Sequence, residues 1–214
     1  PITRLTEFYM GLFDFFKKNK HEALQESAEQ VNQEPVQKQM QEVAQNTKQE
    51  PVDKPVIENF TIDRIDYYYD KALETYCQMK KISPEEATEE QMEEVWLYAG
   101  NHIGFFLTWV IKRGFVGEIP KEYDSEAVSK VMSEEMSGTQ FLIDYCDTKL
   151  WSEDLDDSLV PFVIAYYEKC YWSDYCNWVI NELGDLPMEF IGTWEDYHSF
   201  EHVLDEAYAR YNGK

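Results

Sequence analysis

The sequence predicts an all-α fold, in which a compact multi-helix domain surrounds one buried central helix and follows a flexible N-terminal tail. Three observations lead to this prediction. Apolar residues recur at alternating spacings of three and four from Met92 onward, which is the period of a helix. Capping residues and glycines repeatedly mark helix starts and ends. No run alternates β-branched and polar residues as a half-buried strand would.

The central helix is the best-marked element. Thr88 and Gln91 form a capping box before it, and apolar positions continue along one face to Val110. A second apolar stripe, which includes His102, runs beside the first, so the later half of this helix is apolar on most sides and should be buried. Gly114 follows two basic residues and marks the end of the helix.

Further helices are predicted on either side of the central one. Thr61 is expected to cap a helix that carries Ile62, Ile65 and Tyr76 on one face. Ser83 starts a short capped turn with a proline at its first position. Later helices are expected at residues 125–136, 139–147, 157–171, 173–183 and 194–211.

The composition divides the chain into three segments. Residues 1–20 form a short amphipathic segment, and Met10 within it is a second possible start site. Residues 21–55 are rich in Gln, Glu and Pro, contain no aromatic residue and carry the repeat Gln-Glu-Pro-Val, so we interpret them as a linker. Residues 56–214 form the predicted acidic, all-helical domain.

The charge of the chain narrows the class of partner. The 214 residues contain 42 Asp and Glu against 19 Lys and Arg, which gives a formal net charge of -23. Such a surface repels phosphate, so nucleic acid is not an expected partner and a membrane is an unfavourable one. A basic protein is the natural complement.

The cysteines and the apolar runs indicate a soluble cytoplasmic protein. Cys77, Cys146, Cys170 and Cys176 match no zinc-binding spacing and fit buried reduced thiols. The apolar stretch 103–111 is about half the length that crosses a bilayer, and residues 12–16 are too short for a secretory signal. Residues 12–16 lie beside three lysines, so an adaptor that docks through this N-terminal segment remains an alternative function.

Two histidines on the last predicted helix suggest an alternative function, that of a metal-dependent enzyme. His198 and His202 are four residues apart on the last predicted helix, and Asp205 and Glu195 extend the same stripe, which could present ligands to one divalent metal. The pattern lacks the metalloprotease signature, and a solvated helix face is the simpler interpretation of it. His102 is interpreted as a structural histidine in the core, with a general base or metal ligand as its alternative.

Acidic clusters supply the leading candidate site. Residues 144–157 carry six acids and one lysine, without the glycine and spacing of a calcium loop. We expect a basic protein to bind at Glu153, Asp154, Asp156 and Asp157, with exposed Trp151 or Tyr123 as the aromatic anchor. The aromatic stretch 166–178 is expected to pack in the core with its hydroxyls reaching the surface.

The sequence contains no catalytic signature, which leaves the enzyme class with the histidine stripe and the alternative role of His102 as its candidates. The segment Asn101-His102-Ile103-Gly104-Phe105-Phe106-Leu107-Thr108-Trp109 resembles the H-I-G-M-F-L-A-W signature of an uncharacterised bacterial domain family. Residues 137–147 resemble the same family's G-x-x-F-L-x-x-x-C-D segment, and the resemblance extends over residues 62–211.

The resemblance carries over no established enzyme activity and no functional residue, and no cofactor is expected. Similar small acidic bacterial proteins are often immunity proteins, which neutralise a toxin by tight binding. We therefore expect a non-enzymatic cytosolic protein-binding domain, such as an immunity-type inhibitor of a basic toxin, whose carboxylates would occupy the cationic groove of that toxin.

Overall fold

A computed structural model describes residues 59–213 of the chain. The predicted N-terminal segment and the linker lie outside these residues, as does the proposed docking run 12–16. The described part is predominantly helical and contains one small two-stranded sheet, which confirms the all-α class.

The elements follow one another closely along the chain. Ten helices and strands are described, in this order: β1 (Thr61–Arg64), α1 (Asp66–Lys80), α2 (Glu89–Lys112), α3 (Glu118–Tyr123), α4 (Ser125–Met132), α5 (Gly138–Tyr145), β2 (Lys149–Trp151), α6 (Val160–Tyr166), α7 (Trp172–Trp178) and α8 (Trp194–Tyr211). Short 3-10 turns lie at Pro84–Glu86 and Ser152–Asp154, and π-helical turns lie at Tyr167–Tyr171 and Val179–Leu183.

Helix α2 is the buried centre of the domain, as the two apolar stripes predict. The Thr88 hydroxyl accepts from the Gln91 backbone N–H at 3.3 Å, and the Gln91 side chain accepts from the Thr88 N–H at 2.9 Å, so both halves of the capping box form. Every residue from Ala99 to Ile111 is buried. Gly114 has a φ of 76° and ends the helix in the left-handed conformation that glycine adopts most easily.

Helix α5 crosses α2 at unusually short range, because glycines lie on both sides of the contact. A Cβ atom on Gly104 would lie 2.5 Å from the backbone nitrogen of Thr139, and one on Gly138 would lie 2.3 Å from the Gly104 carbonyl oxygen. The Thr108 hydroxyl donates to the Gly104 carbonyl at 2.8 Å and accepts from the Gly138 N–H at 3.1 Å. The buried backbone groups of the crossing are therefore satisfied from within it.

The start of the domain differs from the prediction. Residues 61–64 form strand β1 rather than the capped start of a helix, and α1 begins at Asp66. Strand β1 pairs antiparallel with β2, with Thr61 opposite Trp151 and an irregular register between Thr61 and Asp63. The helical spacing of Ile62 and Ile65 was misleading. Both residues are buried, but Ile62 lies in a strand that pairs with a distant segment of the chain, and Ile65 lies in the turn after it.

The remaining helix boundaries are partly as predicted. Helix α8 spans the expected residues 194–211, whereas α4 ends four residues early, at Met132, and α5 ends two residues early, at Tyr145. The predicted helices 157–171 and 173–183 each begin as α-helix and continue as a π-helical turn. Helix α3 was not predicted, since its six residues are too few to show a period.

Aromatic side chains fill the space between α2 and the later helices. Phe105 contacts the rings of Tyr175, Trp178 and Phe200, all of which are buried. This confirms core packing for the aromatic stretch 166–178. The prediction that its hydroxyls reach the surface was wrong for the two best-buried tyrosines: Tyr171 donates to the His102 carbonyl, and Tyr175 accepts from the side chain of Asn101.

Candidate functional site

The acidic turn predicted to bind a partner lies against the start of α3. The Gly117 N–H donates to the Asp154 carbonyl at 2.7 Å, and the Asp156 N–H donates to the Phe115 carbonyl at 2.7 Å. A Cβ atom on Gly117 would lie 2.3 Å from the Glu153 carbonyl oxygen, so only glycine permits this approach. The turn and α3 therefore form one continuous surface.

The five residues predicted to bind a partner are not equally accessible. Glu153 and Asp157 are exposed, and Asp156 is half-buried and accepts from the Ser158 N–H at 3.0 Å. Trp151, which the sequence predicted as an exposed anchor, is half-buried in β2, where its residue is paired with Thr61.

Asp154 is buried, with 8% of its surface exposed, so it cannot contact a partner as the sequence suggested. Its carboxylate accepts from the Trp151 backbone N–H at 2.7 Å and so caps the 3-10 turn. Burial raises the pKa of this carboxyl to about 6, with smaller upward contributions from the charges of Glu153 and Asp124. The Trp151 N–H opposes this shift, because a hydrogen bond favours the charged form.

Of the two predicted aromatic anchors, Tyr123 is the accessible one. Its side chain is 74% exposed at the end of α3, and Ile119 on the same helix is 45% exposed. Glu118 and Glu122 lie on the same helix and Asp124 follows it, while Glu153 lies on the neighbouring turn; the exposed Lys121 of this helix pairs with Glu118 at 3.1 Å. We call this the α3 surface and define it by Glu118, Ile119, Glu122, Tyr123, Asp124 and Glu153. An apolar anchor within a field of carboxylates suits a basic protein segment.

The α3 surface was only partly visible in the sequence. Tyr123 was singled out as an anchor, whereas Ile119 and Glu122 were missed because α3 itself was not predicted. The run Glu118-Ile119-Pro120-Lys121-Glu122-Tyr123 does carry one signal, a proline within the first turn of a helix. Nothing in the sequence places this run beside Glu153, since 30 residues separate Tyr123 from it.

Most of the negative charge is not neutralised within the domain. Residues 59–213 contain 32 Asp and Glu and 11 Lys and Arg, a formal net charge of -21. Among these described residues, most of the basic side chains already form ion pairs with acids: Arg64, Lys71, Lys112, Arg113, Lys121, Lys130, Lys149 and Arg210. A cationic partner would therefore meet a surface with few competing positive groups.

The histidine stripe is engaged in other contacts. Asp205 accepts from the Arg113 guanidinium at 2.6 Å and from the Trp109 indole at 2.8 Å, and these hydrogen bonds hold its pKa below its usual value. His198 lies between Glu134 and Glu201, at 3.2 and 3.4 Å. The His202 ring nitrogen Nδ1 lies 2.8 Å from the Ser199 carbonyl.

The structure does not bring this stripe together as a metal centre. Within residues 59–213 no group of three or more His, Cys, Asp or Glu side chains is placed to hold a metal ion. Glu195 is exposed on the first turn of α8, where it adds charge at the end of the helix that favours it. The helical spacing correctly places His198 and His202 on one helix, but the third candidate ligand, Asp205, is already paired with Arg113.

His102 belongs to a buried polar cluster. Asp63, which is 5% exposed, accepts from the Tyr68 hydroxyl at 3.0 Å and the Tyr167 hydroxyl at 2.9 Å. The His102 atom Nε2 lies 3.8 Å from the Asp63 carboxylate and makes no hydrogen bond, and the ring packs edge-on against Tyr68 and Trp172. This cluster joins β1, α1, α2 and the first π-helical turn, so His102 lies in the core as predicted, but its Nε2 atom is not satisfied by a hydrogen bond there.

A small cleft opens between α2 and the starts of α5 and α8. Phe105, Thr108, Gly138, Trp194 and Tyr197 line it, and its volume is about 60 Å³. That is room for about two water molecules and far below the roughly 300–1,000 Å³ of typical ligand sites. The cleft thus supports neither a substrate site nor the metal alternative.

Within the part of the chain that the structure describes, no helix combines the length and the apolar character needed to span a membrane. The comparison with curated proteins and the comparison with solved structures each yield no match. A family model described as a domain of unknown function (DUF7832) matches residues 61–188. This match includes the predicted signature segments but ends before α8, so the expected extension of the resemblance through Thr193–Tyr197 is not part of it. Because the match covers more than half of the sequence, the chain belongs to the DUF7832 family.

Proposed function

We propose that this domain is a non-enzymatic binding module for a basic protein, and that it acts as an immunity-type inhibitor of a basic toxin. The α3 surface is the observation that supports this proposal. It combines Tyr123, the most exposed large hydrophobic side chain of the described residues, with carboxylates from α3 and from the turn that carries Glu153.

Two physical effects favour the binding of a basic protein: long-range charge attraction and the burial of an exposed aromatic side chain. Long-range attraction accelerates the encounter of a cationic partner with a domain of net charge -21. Burial of an aromatic side chain at the centre of the contact then supplies most of the affinity, since exposed ion pairs add little. Tyr123 and Ile119 provide that centre, and Glu122 and Asp124 provide the rim.

Inhibition follows if the carboxylates occupy a cationic groove. A basic toxin such as a nuclease holds phosphate with Lys and Arg, and a surface of carboxylates can bind the same groups. The domain would then block substrate by occupation and would transform no molecule itself.

The test is affinity capture with the full chain as bait in a lysate of its native cells. We expect a basic protein whose retention falls steeply as salt increases, because charge attraction is screened. The variant Tyr123→Ala should lose that protein, whereas Tyr211→Ala, which removes a tyrosine that is 46% exposed on α8 and outside the α3 surface, should retain it.

Capture alone would not establish the proposal. The captured protein must bind the purified chain with 1:1 stoichiometry and lose its own activity on binding. Equal capture by the two tyrosine variants, or retention that does not respond to salt, would contradict the proposal.

A further inference from the structure

We propose that His198 is a pH-sensitive clamp that fastens the start of α8 to the turn between α4 and α5. In its protonated form the ring bridges Glu134 in that turn and Glu201 on α8, and it releases one of the two when it loses its proton. The clamp consists of these three residues. It includes no residue of the α3 surface, so the inference is independent of the proposed binding of a basic protein.

Both ring nitrogens of His198 lie beside a carboxylate. The atom Nε2 is 3.2 Å from Oε1 of Glu134, and Nδ1 is 3.4 Å from Oε1 of Glu201. An ionised carboxylate can only accept a hydrogen bond, so each contact needs a hydrogen on the ring nitrogen. Neutral imidazole carries one such hydrogen and imidazolium carries two. Only the protonated ring therefore satisfies both contacts at once.

Each of the two carboxylates also has a cation of its own. Glu134 accepts from the Lys112 ammonium at 2.8 Å, and Glu201 accepts from the Arg113 guanidinium at 2.9 Å. The Lys112 contact, followed by the His198 contact, holds the pKa of Glu134 below its usual value. A carboxylate that is paired with a cation does not supply the missing hydrogen itself. The proton that completes the bridge therefore belongs on His198.

Among residues 59–213, the groups that face His198 lie on α2, on the turn between α4 and α5, and on α8 itself. Those that carry charge or can titrate are Lys112, Arg113, Glu134, Glu135, Glu195, Asp196, Tyr197, Glu201, His202 and Asp205. Lys112 and Arg113 oppose a positive charge on the ring, but each is already paired with one of the bridged carboxylates. The two carboxylates that contact the ring favour that charge directly.

Glu134 is where the clamp acts on the fold. Its φ is 68°, in the left-handed region that residues other than glycine rarely adopt. Its side chain links the turn to α2 through Lys112 and to α8 through His198. Lys112 also donates to the Met132 carbonyl at 3.1 Å and lies over the Trp194 ring at 5.5 Å. Loss of the His198 contact would thus loosen the start of α8, while the link from the turn to α2 would remain.

The clamp predicts the sign of a pH effect on stability. Because the folded state offers the protonated ring two acceptors, it favours the His198 proton more than the unfolded state does. The stabilisation is therefore present in mild acid and is lost as the pH rises through the range in which histidine loses its proton. The lowered pKa of Glu134 keeps its carboxylate ionised in mild acid, so the acceptor is retained there.

The experiment is a double-mutant cycle between His198→Gln and Glu134→Gln in the full chain, followed by urea unfolding at about pH 5.5 and about pH 8.5. We expect the two side chains to be coupled by about threefold in the unfolding equilibrium constant at the lower pH, and by less than about 1.5-fold at the higher pH. The cycle between His202→Gln and Glu134→Gln is the matched control. His202 lies one turn further along α8, with its Nδ1 at the Ser199 carbonyl, and should show no coupling to Glu134 at either pH.

Nitrogen NMR of the histidine rings tests the same inference in the unmodified chain. At about pH 7 the fraction of rings with hydrogen on both nitrogens should be about twofold or more higher for His198 than for His202. This fraction should fall for His198 in Glu134→Gln. Equal fractions for the two histidines, or a coupling between His198 and Glu134 that is the same at both pH values, would overturn the inference.

Discussion

Gly138 packs against Gly104 so closely that a Cβ atom on Gly138 would lie 2.3 Å from the Gly104 carbonyl oxygen. This contact joins α5 to the central helix, and Thr108 supplies hydrogen bonds on both sides of it. Because backbone lies against backbone, no flexible side chain can move aside to admit an extra carbon.

Substitution at this crossing should be strongly destabilising. We expect Gly104→Ala to lower the free energy of unfolding by about 3 kcal/mol or more, because the added Cβ would meet the Thr139 backbone. Urea denaturation followed by circular dichroism measures the change. Gly114→Ala is the matched control: no atom lies within 4 Å of its added Cβ, and the positive φ alone should cost about 1–2 kcal/mol. Equal losses in the two variants would refute the close contact.

Asp154 should make the stability of the domain depend on pH. Its folded pKa of about 6 lies above the ordinary value of 3.8, so the folded state binds more protons than the unfolded state between these values. Stability should therefore rise as pH falls from about 7 to about 4, and the cost of ionisation should be complete above pH 7.

The variant Asp154→Asn isolates this effect. Asparagine keeps an oxygen that can accept from the Trp151 N–H but carries no charge. We expect it to be about 1–3 kcal/mol more stable than the wild type at pH 8, and the difference should shrink toward zero near pH 4. Denaturation curves at pH 4, 6 and 8 measure this gap. A gap that does not change with pH would show that Asp154 titrates normally.

The buried Asp63 carboxylate should depend on its tyrosine donors. Tyr167→Phe removes one hydroxyl that donates to Asp63 and leaves the ring packing intact. We expect a loss of about 1–3 kcal/mol in the free energy of unfolding, because a buried charge loses a donor. Tyr211→Phe removes a hydroxyl from a tyrosine that is 46% exposed and should alter stability by less than about 0.5 kcal/mol. Thermal and urea unfolding of both variants measure these changes in stability. A Tyr167→Phe variant as stable as the wild type would contradict the hydrogen bond to Asp63.

The contacts of the histidine stripe predict no stabilisation by metal. Zinc or nickel in tenfold excess should leave the unfolding midpoint of the full chain unchanged, since Asp205 is held by Arg113 and Trp109. A ligand that binds only the folded state would raise that midpoint. A stoichiometric rise that disappears in the double variant His198→Ala, His202→Ala would restore the metal interpretation.

The sequence predicted correctly those features that depend on residues close together in the chain, and it missed those that depend on distant segments. Capping at Thr88 and the burial of α2 were predicted because both depend on residues within a few positions of one another. Strand β1 was missed because its hydrogen bonds come from β2, almost 90 residues later. The sequence also could not show that Trp151 and Asp154 are covered, since their burial comes from that pairing and from the approach of α3.

The sequence by itself determined the all-α class, the central helix, the bounds of α8 and the large negative charge, because local periodicity, capping and composition express these directly. Tertiary structure alone decided which carboxylates are accessible. It buried Asp154, exposed Tyr123 and engaged Asp205 with Arg113, since each of these outcomes depends on contacts between segments far apart in the chain.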